Sequence, residues 1–471
     1  MPDATRWETL PWSIHSRPNM ETMRRQFDLV VIGTGAAGSI PAHKCRAAGW
    51  QVAVIDELPY GGTCSLRGCD PKKVLVGAGE LTEWSRRMQG NGVSGNLQIR
   101  WPELIQFKQT FTEPVPAKRE ESFKAKGSET FHGPAKFVDS TTVQVGDSLL
   151  TGRYVHIATG AKPAQLKIPG EELLATSTQF LELPQLPRRI LFVGGGYISF
   201  EFAHVAARAG AEARILHRGP APLVEFDPDL VHQLVEATRA AGIDVRLSSP
   251  VRAIHRNSDG FIVEAGTGDS PTTFKADLVV HGAGREPAIA ALDLQVAGVR
   301  YGANGVTVNE HLQSVSNNSV YAAGDAADTP GFPLTPVAAM EGHVVAANLL
   351  KGNSRTAEYR SMPSVVFALP PLARVGMLEA DARSKGLRFK VNTADTSQWY
   401  SSRRIAERVS GYKVLIEEDT DRILGAHLLG KDAEEVINVF ALAIQSDIKA
   451  ATLRHMLYSY PSRCSDIPYM L

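Results

Sequence analysis

FDLVVIGTGAAG, residues 27–38, sets a glycine-rich turn directly behind an apolar run of strand length. Small residues then lead into a helical pattern that closes at Gly49, and 51–55 reads as a second strand ending on Asp56. Together these segments predict a β-α-β unit. Gly33, Gly35 and Gly38 allow a tight turn and let backbone N–H groups approach a pyrophosphate at the N-terminus of the helix. An acid about 20 residues further on, here Asp56, can accept from both ribose hydroxyls. Pro41, inside the helical pattern, is expected to bend its first turns.

The pattern recurs. Residues 189–193 read as a strand, Gly194-Gly-Gly-Tyr-Ile-Ser199 as the turn, 201–210 as a helix and 213–216 as the next strand. Two copies mean two nucleotide sites in one chain. The second copy ends in His217 and Arg218 rather than in an acid. A carboxylate there would hold an unsubstituted ribose and repel a 2′-phosphate, whereas a guanidinium does the reverse. That favours NADPH over NADH, the competing reading being an Arg218 that is simply solvated.

Between the copies lies GGTCSLRGCDPKK, residues 61–73. A turn entering a helix can bring the Cβ atoms of Cys64 and Cys69 to the roughly 3.5–4.5 Å that a disulfide needs. The partial positive charge of the helix N-terminus, with Lys72 and Lys73, would lower the thiol pKa values and favour a thiolate. The expectation is a redox-active pair. Half of a zinc site or two unrelated buried cysteines are the alternatives, and no second Cys/His pair lies nearby to complete a metal site.

Composition narrows the function. Lys+Arg and Asp+Glu both number 50, so nothing argues for nucleic acid or an anionic membrane as partner. No apolar run approaches the roughly 18 residues of a membrane span, and residues 1–20 hold no apolar signal core. The four cysteines (Cys45, Cys64, Cys69 and Cys464) are too few for a structural disulfide framework, which fits a reducing cytoplasm in which one pair cycles.

In the remaining chain, 74–88 reads as helix and 89–150 as short strands alternating with turns. HIATGA, 156–161, ends a strand on a small-residue turn that suits close backbone approach. Residues 277–281 form another strand, followed by GAGREP at 282–287. SVYAAGD, 319–325, ends on Asp325, which could accept from a polyol or phosphate-bearing cofactor or cap the helix that follows Pro336. Beyond Met362 the strands 363–368, 389–393, 411–416 and 423–428 are separated by helices 378–385, 433–446 and 451–459, a third unit of α+β type.

In this order GTGAAG with Asp56, GGTCSLRGCDPKK, ATGAKP, GGGYISFE, GAGREP, YAAGDAAD, LTPVA, PSVVFALPPLARVG and DRILGAHLLG resemble the class I pyridine nucleotide–disulfide oxidoreductases. Glutathione reductase, dihydrolipoamide dehydrogenase and mercuric reductase belong to that family, and the resemblance runs from residue 27 to 471. It implies an α/β fold with two Rossmann-like nucleotide-binding domains and a C-terminal α+β dimerisation domain. The implied division is an N-terminal arm at 1–24, an FAD-binding domain in two parts at 25–165 and 286–360, an NAD(P)-binding domain at 166–285 and a dimerisation domain at 361–471. It implies a homodimer. Gly33, Gly35, Gly38, Asp56, Thr63, Gly160, Asp325 and Ala338 would hold FAD, and Gly194, Gly196, Glu201, Arg218 and Gly284 would line the nicotinamide site. Lys72 or Lys73 would sit near the flavin, paired with Glu201. Cys69 would be the thiolate against the flavin and Cys64 the thiol that meets the acceptor.

The resemblance also exposes a departure. Disulfide-reducing members carry a His-Pro-Thr segment near the C-terminus, with a glutamate three residues on, as the partner subunit's acid–base group. Here Tyr460-Pro461-Ser462 stands in its place, Ser465 replaces the glutamate and Asp466 comes one place late. A phenol with a pKa of about 10 is a poor proton shuttle at neutral pH. Tyrosine at this position is similar to mercuric reductase, but the chain ends PYML without that enzyme's Cys-Cys pair. Cys464 is a candidate third thiol near Cys64 across the dimer, or a small buried hydrophobe. His204, His217, His343 and His455 show no metal or catalytic spacing. The expected function is therefore NADPH-driven, FAD-dependent reduction of a non-standard acceptor: thiol-bound Hg(II), another metal ion or a quinone. A dihydrolipoamide dehydrogenase or other disulfide reductase is the alternative, and a non-catalytic flavoprotein scaffold the alternative of another class.

Overall fold

The computed structural model describes residues 23–268 and 271–471, so most of the expected N-terminal arm lies outside the described residues. Its end does not: β1 (Met23–Ile32) begins two residues before the expected domain boundary and pairs along its length with Ser148–Ile157, Met23 opposite Ser148 and Ile32 opposite Ile157. On its other side β1 pairs in parallel with β2 (Val52–Asp56), Leu29 opposite Val52. Leu29, Val30, Val31, Val52, Ala53, Val54 and Ile55 are all buried, without alternation. That is what a parallel sheet covered on both faces requires.

Outward from this centre, Glu129–His132 adds to β2, and Thr142–Val145 and Ala135–Phe137 follow Ser148–Ile157. Val320–Ala322 returns from far along the chain to pair with Ser148–Ile157 and complete the sheet. Ile157, Ala322 and the end of β1 therefore open on one edge.

The first helix, α1 (Ala36–Ala47), keeps Pro41 in its interior. A proline there cannot donate to the carbonyl four residues back. That carbonyl, Ala37 O, is met by His156 Nε2 at 3.0 Å. Burial drives the His156 pKa down to about 4, so its ring is neutral and one nitrogen can donate. The expected bend is thus met by a substitute donor, and α1 runs on without interruption.

The second unit has a parallel sheet in the order Asp244–Arg246, Glu212–Leu216, Arg189–Val193, Leu278–His281, beside an antiparallel sheet of Val251–Asn257, Gly260–Ala265 and Thr272–Ala276. The two connections to the first unit run side by side: Ala161–Pro163 pairs antiparallel with Arg285–Pro287. The third unit is an antiparallel sheet in the order Ser364–Val366, Leu372–Gly376, Ile423–Leu429, Gly411–Glu417, Phe389–Asp395, covered by the helix Ala433–Gln445. Val436, Ile437 and Phe440 of that helix are buried against it.

Two expectations fail. Residues 89–150 are not only strands and turns: Trp101–Thr112 and Val115–Ala125 are helices. Pro102 and Pro116 sit at their starts, where a missing N–H costs nothing. The first helix also exposes Phe107 and Phe111 opposite buried Trp101 and Ile105, which blurs its period. The strand Leu372–Gly376, second of the five in its sheet, was not foreseen. Pro370 and Pro371 precede it and Arg374 interrupts it. Buried Arg374 donates through its two terminal nitrogens to the Glu225 and Gly376 carbonyls. No helix among the described residues is long and apolar enough to cross a membrane.

Candidate active site

At the carboxyl end of β1 the chain turns through Gly33 with φ +108°, and a Cβ there would stand 2.2 Å from the Ala158 carbonyl oxygen. Only glycine fits. Gly62, φ +74°, is pressed as closely on Gly35, where its Cβ would lie 2.5 Å from the Gly35 Cα. The two glycine loops, one from each motif, thus close on each other at the N-terminus of α1, and Gly38 packs within its first turn. This small-residue cradle is what a dinucleotide pyrophosphate needs.

Asp56 Oδ2 accepts from the Thr34 N–H at 2.9 Å and the Thr34 hydroxyl at 2.5 Å, and Oδ1 from the Leu58 N–H at 3.0 Å. Carboxylate oxygens have further lone pairs, so Asp56 is oriented and still able to accept. At the opposite end of the cradle, burial raises the Asp325 pKa while Arg285 opposes the rise. The Asp325 turn is held by Glu341, a buried carboxylate that accepts from the Gly324 N–H at 2.6 Å, the Thr329 hydroxyl at 2.8 Å and the Tyr359 hydroxyl at 2.8 Å. Ala338 lies against Gly324, and the Gly160 carbonyl accepts from the Ala288 N–H at 2.9 Å. These residues fit FAD.

The cysteines belong to two helices. Thr63 and Cys64 lie in α2 (Gly62–Arg67), and Cys69 is the first residue of α3 (Cys69–Met88), with Gly68 between. Both are thiols in this structure and hydrogen-bond to each other. The bond from Cys64, the charge of Lys72 and the Thr335 hydroxyl, 3.8 Å away, take the Cys69 pKa down to about 6 against the opposing effect of burial. The same bond and burial push Cys64 up. One proton is therefore held on Cys64 while Cys69 carries the charge.

Lys72 lies 2.9 and 2.8 Å from the two Glu201 carboxylate oxygens, and Glu201 also accepts from the Phe367 N–H at 2.9 Å. Glu201 is buried in the helix Tyr197–Arg208. Lys73 does not share the pair. It turns to Glu80 at 3.1 Å and Glu434 at 3.7 Å. Both ammonium groups stand over the Phe367 ring.

In the second unit Gly194 and Gly196 form the turn before the helix Tyr197–Arg208, and Gly284 stands in open space beyond Leu278–His281. His217 folds back on Gly195 and meets the Ala221 carbonyl at 2.9 Å, which leaves Arg218 exposed at the rim.

The C-terminal candidates stand apart. Tyr460 is 81% exposed, ahead of a cis peptide to Pro461. Cys464 packs against the apolar core of the third unit, and burial with Asp432, Asp466 and Glu435 raises its pKa, an environment that keeps it a neutral thiol. Among the described residues no cluster of three or more His, Cys, Asp or Glu side chains forms a metal site.

Four residues at the site escaped the sequence reading. Thr335, first residue of the helix Thr335–Lys351, was within the LTPVA motif, but nothing linear tied it to Cys69. Glu341 and Phe367 carry no linear signal. Asp70, whose Oδ1 is 3.7 Å from Cys64 Sγ, was in plain view beside Cys69 and went unweighed.

Residues 27–342 match the family described as pyridine nucleotide-disulphide oxidoreductase, and residues 362–468 match its dimerisation domain. The chain is 32% identical to a glutathione reductase of Burkholderia cepacia, over 93% of this chain and 96% of that one. It is 31% identical to a mercuric reductase of Staphylococcus aureus, over 89% of this chain and 77% of that one. Its fold superposes, at TM-score 0.84 and 27% identity, on the Cu(II) complex of the HOCl-induced flavoprotein disulfide reductase RclA from Escherichia coli, covering 95% of this chain and 99% of the other.

Proposed function

The chain belongs to the pyridine nucleotide-disulphide oxidoreductase family, and from that premise we propose that it is an NADPH-preferring homodimeric reductase of a thiol-binding metal ion, such as thiol-bound Hg(II) or Cu(II), or of a quinone. The observation that carries the choice of acceptor is Tyr460 where disulfide reduction needs an imidazole. FAD, when bound, supplies the two-electron chemistry between nicotinamide and sulfur. Gly33, Gly35, Gly38, Asp56 and Asp325 would hold it. Lys72, fixed by Glu201, stabilises negative charge on Cys69 and would do so on the cofactor. Cys64 keeps the proton and meets the acceptor.

A disulfide acceptor leaves as a thiolate that must be protonated, and general acid–base help of that kind is worth about 10²–10⁴-fold. A thiophilic ion needs no such proton; soft sulfur ligands suit it directly. Disulfide reduction, favoured by the names of two relatives, would need another base at this place. Asp466 is a poor one: although burial raises its pKa, its carboxylate is engaged, accepting from the Ser401 hydroxyl and lying 3.8 Å from Arg463. Arg218, exposed and without an acid beside it, supports NADPH.

The test is an anaerobic titration of the purified protein with NADPH and, separately, NADH, followed by addition of Hg(II), Cu(II), lipoamide or glutathione disulfide. A long-wavelength thiolate band that forms with NADPH and is discharged by the metals but not by the disulfides supports the proposal. Rapid discharge by a disulfide would hand the assignment to the disulfide reductases. No band at all would end the dithiol reading.

A further inference from the structure

Among the described residues, the Asp70 carboxylate is the one charged group from outside the dithiol itself in direct contact with the acceptor-side thiol. Cys64 Sγ lies 3.7 Å from Asp70 Oδ1. The two meet because Cys64 ends the first turn of α2 while Asp70 sits in the first turn of α3, and the break at Gly68 folds one onto the other. The other groups around Cys64 are Cys69 and the neutral Thr335 hydroxyl. The nearby cations are committed elsewhere: Lys72 to Glu201, Lys73 to Glu80 and Glu434, and Arg67 toward Asp56. Asp70 itself is exposed and makes no salt bridge among the described residues. Residues 458–462, the segment that carries Tyr460, add no charge.

We infer that Asp70 is a specificity-determining residue, which sets a net negative field at Cys64 and selects cationic over anionic acceptors. The inference rests on the reading of Cys64 as the acceptor-side thiol. An uncompensated charge within about 4–6 Å of the reacting sulfur attracts an approaching cation and repels an approaching anion, and salt weakens both effects. Metal cations fall on the favoured side. Glutathione disulfide, whose carboxylates outnumber its ammonium groups, falls on the other. This selection works in addition to the missing base and acts at encounter rather than at proton transfer. It also accords with the proton held on Cys64, since a carboxylate beside that sulfur opposes a second thiolate there.

The experiment uses the FAD-loaded homodimer carrying Cys69→Ser, which leaves no neighbouring thiolate to expel a label from Cys64 or to add its own charge, reduced with dithiothreitol and freed of it, and two thiol reagents of the same chemistry and opposite charge: the trimethylammonium-ethyl and sulfonato-ethyl methanethiosulfonates. In each, the Cys64 sulfur forms a disulfide with the reagent and sulfinate leaves. Rates at Cys64, assigned by mass spectrometry, are divided by the rates with 2-mercaptoethanol. The expected cation-to-anion preference is roughly tenfold at low salt, shrinking at high salt. Asp70→Asn should bring it close to one, Asp70→Lys should invert it and Asp70→Glu should retain it. An equal ratio in the Cys69→Ser parent and its Asp70→Asn variant overturns the inference. Should Asp70→Lys fail to retain flavin, Asp70→Asn and Asp70→Glu decide alone. Because forming this mixed disulfide draws no electrons from NADPH, failure of the metal-reductase reading would show separately, as no NADPH-driven discharge by metal ions alongside an intact charge preference.

Discussion

Replacing Lys72 with Met separates two effects that the Lys72–Glu201 pair combines. Lys72 is 15% exposed and Glu201 2%, at 2.8 Å, with the Phe367 N–H as the other donor to the carboxylate. Removing one member of a buried pair costs about 3–5 kcal/mol, because the other is left charged and unpartnered. The retained Phe367 bond places Lys72→Met at the lower end, about 3 kcal/mol, and Glu201→Gln should cost a similar amount. The double variant leaves no uncompensated charge and should recover about 2 kcal/mol of the summed loss. The same pair acts on Cys69 with opposite signs. Lys72 lowers its pKa and Glu201 raises it. Lys72→Met must therefore move the thiolate midpoint up from about 6, and Glu201→Gln must move it down. Urea unfolding of the FAD-loaded protein reads the first effect, and a pH titration of thiolate absorbance in the reduced protein reads the second. Midpoints that shift the same way in both variants, or a double variant as unstable as the summed singles, would refute the reasoning.

Reduction should also change how stability depends on pH. The folded Cys69 pKa, about 6, lies below its ordinary 9.0, so its contribution is full above pH 9 and is lost as pH falls toward 6. Cys64 runs the other way: raised in the fold, it contributes fully below pH 9 and loses that contribution at higher pH. The thermal midpoint of the reduced protein, less that of the disulfide form, should climb from pH 6 to about 9 and then decline; a flat difference counts against the thiol pair as described. Gly33→Ala places a Cβ 2.2 Å from a backbone oxygen at φ +108°, so the variant should lose bound FAD on gel filtration and unfold with a loss of about 3 kcal/mol or more. For Arg218→Ala the expected loss in kcat/KM is about 10–100-fold for NADPH and little for NADH, from one charge-assisted phosphate contact; equal losses would leave Arg218 a solvated surface residue. Tyr460→His should raise disulfide turnover steeply, toward the 10²–10⁴-fold range of acid–base help, and no gain would remove the case against a disulfide acceptor.

What could be read from the sequence follows from how each feature is enforced. The two β-α-β units were legible because a parallel sheet buried on both faces writes a continuous apolar run, and Gly33 is demanded by a contact no other residue survives. The Leu372–Gly376 strand was not, because Arg374 enters the interior on hydrogen bonds to Glu225 and Gly376 that no local pattern announces. The two lysines show the same limit inside the site. Consecutive residues on a helix point about 100° apart, so only one of Lys72 and Lys73 can face Glu201, and linear spacing does not say which. The rotation of α3 does: Lys73 shares a face with Glu80, two turns on, and that pairing commits it away from the cysteines. Asp70 is the converse case. Its neighbour in sequence is Cys69, yet it touches Cys64, because Gly68 breaks the backbone between two helices. The charge pattern of the site, a cation beside Cys69 and an anion beside Cys64, therefore arises from one glycine break and one helix rotation. That separation is what lets two thiols five residues apart hold a single proton in a defined place.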